Sequence, residues 1–102
     1  MKYYRGDTLP VVISYEGYTF KAGDVVTAGI IRERDDGELE KLKEVSVTVT
    51  GECDAVQLEF SREDMYDIDG KVILEGRTVT AGDVEMTVQK TLNLGKDGLR
   101  WV

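Results

Sequence analysis

Val84-Glu85-Met86-Thr87-Val88-Gln89-Lys90-Thr91-Leu92-Asn93-Leu94 decides the fold. Val84, Met86, Val88, Leu92 and Leu94 fall at one parity, with Lys90 the exception, and Glu85, Thr87, Gln89, Thr91 and Asn93 fall at the other. Side chains of a β-strand point alternately to opposite faces, so this pattern predicts a strand with one packed and one wet face. Such one-sided strands belong to antiparallel sheets.

The same period runs outward through the chain. Leu9, Val11, Ile13 and Tyr15 alternate with Pro10, Val12 and Ser14. Pro10 has no N–H to give a sheet ladder, which places it at a strand start or on an edge strand. Val26, Ala28 and Ile30 share a face, as do Val45, Val47 and Val49, then Val56, Leu58 and Phe60, and then Val72 and Leu74. Gly76 interrupts the last of these runs and predicts a bulge there. Turn residues separate the runs: Glu16-Gly17, Ala22-Gly23-Asp24, Asp35-Asp36-Gly37, Gly51-Glu52, Asp67-Ile68-Asp69-Gly70 and Ala81-Gly82-Asp83. Ser61-Arg62-Glu63-Asp64-Met65-Tyr66 opens with a helix N-cap and acidic residues, and it has room for one helical turn. The expectation is an all-β, antiparallel, immunoglobulin-like sandwich of about seven strands with at most one helical turn, filling residues 1–102 as a single domain.

Ala-Gly-Asp-Val occurs at 22–25 and again at 81–84. A tetrapeptide is too short to establish a repeat, and two similar tight turns leading into strands account for it.

Charge and composition narrow the function. Twenty acidic and 13 basic residues give a formal net charge of −7. Such a surface repels phosphate backbones and anionic headgroups, so neither nucleic acid nor membrane is an expected partner. No apolar run reaches the length of a secretory signal or a membrane span. The sequence contains no histidine. Histidine-based acid–base catalysis, the Ser-His-Asp triad and histidine metal ligation are therefore excluded. No phosphate-binding loop or dinucleotide fingerprint is present. Cys53 is the single cysteine, so no disulfide forms within the chain, and it is expected to pack as a small apolar residue. No enzyme activity and no cofactor are expected.

Three weaker patterns remain. Asp64, Asp67, Asp69 and Gly70 have the look of part of a calcium loop. With Gly70 at the sixth position, Met65 falls at the first and Gly76 at the twelfth, where ligands are required, so the aspartates read first as turn residues. Arg5-Gly6-Asp7 reads as a turn entering the first strand. Among the aromatic residues, Tyr15, Phe20 and Phe60 follow their strands into the core. Tyr3, Tyr4 and Trp101 sit at the termini, where they close the sandwich or touch a partner, and they are the candidate partner-binding residues.

Two stretches together carry a family resemblance. One is Arg5-Gly6-Asp7-Thr8-Leu9-Pro10 with Val11-Val12-Ile13 and Ala22-Gly23-Asp24. The other runs from Asp69-Gly70-Lys71-Val72-Ile73-Leu74-Glu75 through Ala81-Gly82-Asp83-Val84 to Thr87-Val88-Gln89-Lys90-Thr91-Leu92-Asn93-Leu94. In this order they resemble the immunoglobulin-like sandwich at the N-terminus of phage baseplate upper proteins, and related short proteins of Gram-positive phages and prophages. Val72 stands where that pattern has an aromatic residue, and Gly76 where it has an apolar one. The resemblance implies a structural or assembly component of a phage or prophage tail or baseplate. Such a component docks to other virion proteins or to itself. It is made in the cytoplasm of the bacterial host and carried in the virion. The alternative expectation is a sandwich module that binds carbohydrate or another cell-surface polymer, which requires an exposed aromatic platform.

Overall fold

The computed structural model describes residues 2–4, 8–65, 68, 70–94 and 99–101. Six strands build the body: β2 (Leu9–Ile13), β3 (Val25–Glu33), β4 (Leu39–Thr48), β5 (Val56–Phe60), β6 (Gly70–Val79) and β7 (Glu85–Leu94). Two three-residue strands, β1 (Lys2–Tyr4) and β8 (Leu99–Trp101), pair with each other. The helical turn α1 (Arg62–Met65) lies where its N-cap predicts. Ser61 Oγ accepts the Asp64 N–H at 3.1 Å, and an Asp64 carboxylate oxygen accepts the Ser61 N–H at 3.4 Å. This reciprocal pair caps the turn.

Every strand pairing is antiparallel. β2 pairs with β5, and a second sheet has the order β4-β3-β6-β7. Lettered in chain order from B, the first sheet is B–E and the second C′–C–F–G, the strand order of an immunoglobulin-like sandwich. The first sheet is reduced to its two central members.

The core lies between the sheets. Leu9, Val11 and Ile13 from β2 and Val56, Leu58 and Phe60 from β5 meet Val26, Ala28 and Ile30 from β3, with Val72 and Leu92. Met65 of α1, Ile68 and Phe20 belong to the same cluster. Pro10 sits within β2 opposite Glu59, on a strand whose other edge is unpaired among the described residues. A proline is tolerated on such an edge strand, where a residue without an N–H need not break a ladder.

Two details differ from the sequence reading. Gly76 is not a bulge: the pairing runs unbroken through Ala28↔Gly76 and Gly76↔Val88. The register shift falls instead in β4, where Ile30 pairs with Lys43 and Ile31 with Lys41. Gly76 is small because the opposite sheet presses on it. A Cβ there would lie 2.9 Å from Ile13 Cδ1 and 3.1 Å from Val88 Cγ1. The packed face of β7 is also drier in sequence than in space. Leu92 is buried, but Val84 is 59% and Val88 43% exposed. β7 is an edge strand of a four-stranded sheet, and a two-stranded sheet is too narrow to cover it.

Candidate functional site

Chemistry concentrates at the end of the sandwich where the β2–β3 loop meets the β6–β7 turn. The two Ala-Gly-Asp-Val segments lie here, and they touch. The first turns with Gly23 in the left-handed region (φ 97°) and an Asp24 N–H to Lys21 carbonyl bond of 3.1 Å. The second places the left-handed residue one position later, at Asp83 (φ 63°), with Asp83 N–H to the Thr80 carbonyl at 2.9 Å and Thr80 N–H to the Val84 carbonyl at 2.8 Å. The same bonds recur in the β3–β4 turn, from Gly37 and Arg34 to Arg34 and Glu38. There a glycine (φ 86°) holds the left-handed position. Identical tetrapeptides thus make different turns, because one crosses between sheets and the other closes a hairpin with a three-residue loop.

Asp24 joins the two turns. It is 1% exposed. Its carboxylate accepts the Tyr18 hydroxyl, the Lys21 N–H at 3.0 Å and the Ala81 N–H at 3.3 Å. Tyr18 O–H, followed by the Lys21 N–H, holds the Asp24 carboxyl below the usual range, and burial opposes them without prevailing. The same hydrogen bond, with burial and the Asp24 charge behind it, pushes the Tyr18 hydroxyl up to about 12. Nearby, the Tyr15 hydroxyl pairs with the buried Thr78 hydroxyl at 3.1 Å and donates to the Met86 carbonyl at 3.2 Å. Tyr15, Tyr18 and Phe20 pack edge to face or tilted, with centroids 5.4–6.5 Å apart. This geometry locks a loop: the carboxylate is saturated by donors, and the rings face one another. Among the described residues, the aromatic side chains form no open platform of the kind a sugar would stack on.

The residues singled out from sequence fall elsewhere. β1 and β8 bring the two ends of the chain together, with Tyr4↔Leu99, Tyr3↔Arg100 and Lys2↔Trp101 as partners. The side chains of Tyr3, Tyr4 and Trp101 lie outside the described residues, as do Arg5, Gly6 and Asp7. Of the calcium candidates, Asp64 serves as a helix cap, while Asp67 and Asp69 lie outside the described residues. Among the described residues, no group of three or more acidic or cysteine side chains is arranged to hold a metal ion. Cys53 is half-buried against the core, and its backbone bridges Phe20 with bonds of 2.8 and 3.2 Å. Among the described residues, no helix is long and apolar enough to cross a membrane.

The larger feature, which alternation alone does not single out, is the outward face of the four-stranded sheet. Opposed residues in antiparallel strands share a face, so the register gives its rows. Glu44, Gly29, Glu75 and Gln89 form one row, and Ser46, Thr27, Arg77 and Thr87 the next. Thr48, Val25, Val79 and Glu85 lie on one side of these, and Lys41, Ile31, Ile73 and Thr91 on the other. Gly29 has no side chain, and a groove of about 420 Å³ runs over it between Glu44 and Glu75. Local pairs order the face: Gln89 to Glu75 at 2.8 Å, Arg77 to Glu85 at 3.5 Å, Thr27 to Ser46 at 2.7 Å, and Lys41 with Glu44.

No family model, no curated protein and no solved structure matches the chain.

Proposed function

We propose that the protein is a non-enzymatic assembly component of a phage or prophage tail or baseplate, and that it works by docking its sheet surfaces onto other structural proteins. The observation that carries the docking half is the unequal sandwich. A two-stranded sheet covers a four-stranded one, which leaves Val84 and Val88 open on the inward side and a grooved, mixed-charge face on the other. Among the described residues, the two ionisable groups with a shift, Asp24 and Tyr18, hold a loop. The phage half rests on the resemblance of the Arg5–Ile13 and Asp69–Leu94 stretches to baseplate upper proteins.

The genes beside this one test the reading. Flanking tail, tape-measure, baseplate or lysis genes are the expected result. Transport, cell-wall or metabolic neighbours would overturn the phage assignment and move the weight to the carbohydrate-binding alternative. Calorimetric titration against cell-wall glycans tests that alternative, and no heat is expected.

A further inference from the structure

We infer that the outward face of the β4-β3-β6-β7 sheet is a self-association surface, and that its occupant is the same face of a second copy of this chain. The argument is symmetry. A two-fold axis lying across the strands, between the Thr27–Arg77 row and the Gly29–Glu75 row, lays each of these rows of one copy on the other row of its partner. Arg77 of each copy then meets Glu75 of the other, so a single pair of positions gives two opposite-charge contacts. The next rows outward also match. Val79 meets Ile73, and Val25, 39% exposed, lies over Ile31, which its own neighbours already cover to 8% exposure, so apolar positions flank the charged centre on both sides.

Within these four rows no charge meets its like. Lys41 falls on Thr48 and Glu44 on Ser46, while Glu85 falls on Thr91. At the centre Thr27 lies over Gly29, and the absent side chain leaves the groove of about 420 Å³ into which the partner can press. Aligned sheets pack about 10 Å apart at roughly 30°. That rotation keeps rows near the axis in register. A two-fold axis along β3 would instead set Glu44 on Glu75, so like charges disfavour that arrangement. The net charge of −7 repels a second copy at long range, which makes the local opposite charges the necessary element.

This deepens the docking reading by naming one partner. Sedimentation velocity over a concentration series tests it. The wild-type chain is expected to dimerise. Arg77→Glu and Glu75→Arg each place like charges together at two symmetric contacts and weaken the dimer by about 100-fold or more. The double variant Glu75→Arg/Arg77→Glu restores the opposite pairs and is expected to recover the dimer. Thr27→Arg puts a cation at the axis without touching either ion-pair residue and is expected to weaken association as well. A wild-type chain that stays monomeric at every concentration overturns the inference. So does a dimer indifferent to the single reversals, or a swap that fails to rescue. A monomer with tail genes on either side would remove the dimer and leave the docking reading standing.

Discussion

Replacing Asp24 with asparagine would keep the side chain's shape and turn one of its acceptor oxygens into a donor facing the Tyr18 hydroxyl or a backbone N–H. Asp24→Asn is therefore expected to lower the melting temperature more than Tyr18→Phe, which leaves two of the donors in place. The pH dependence has a definite sign at each end. The folded Asp24 value lies below its ordinary 3.8, so its contribution is fully present above that value and disappears as pH falls through the lowered one. The folded Tyr18 value lies above its ordinary 10.0, so its contribution is present below pH 10.0 and is lost as pH rises toward about 12. Melting curves across pH are expected to show a steeper acid limb in the wild type than in Asp24→Asn. Equal limbs would mean that the carboxylate is not ionised in its pocket. Sequence alone did not reveal this site. Asp24 stands in a turn like most aspartates of the chain, and only the fold brings Tyr18 and Ala81 to it.

The elements show where alternation stops being informative. Periodicity located the strands and their parity, because parity is a property of the backbone. Burial was legible for β2, β3 and β5, which face a neighbour across the sandwich. It was not legible for β7, because width of cover depends on how many strands the opposite sheet holds. Gly76 is the second case. It reads as a flaw in a strand, yet it is the place where Ile13 crosses the interface. Gly76→Val is expected to destabilise the fold by about 1–3 kcal/mol through overpacking. In a Gly76→Ala background, Ile13→Val removes the 2.9 Å neighbour, so the pair of changes should cost less than the sum of the singles in chemical denaturation. The β6–β7 turn offers an opposite change. Asp83 holds a left-handed position that Gly37 fills in the β3–β4 turn. Asp83→Gly is expected to stabilise by about 0.5–1 kcal/mol, and Asp83→Val to destabilise by more than that. A loss of stability with glycine would show that the Asp83 side chain has a role beyond the turn.

At the scale of the molecule, strand count and turn spacing pointed to a sandwich, and the strand order gives its immunoglobulin-like connectivity. The sequence could not show that one sheet has two strands and the other four, since pairing is chosen among strands that look alike. That imbalance leaves the outward rows and the uncovered valines exposed, and these are the surfaces our proposal uses for assembly. Assembly into a tail or baseplate, as we propose, has a direct test. Particles are induced from the source strain, banded on a density gradient, and their proteins quantified by mass spectrometry. The account predicts this chain in the particle band, in fixed ratio to the other tail proteins. Its presence in the cell lysate with none in the particles would contradict it.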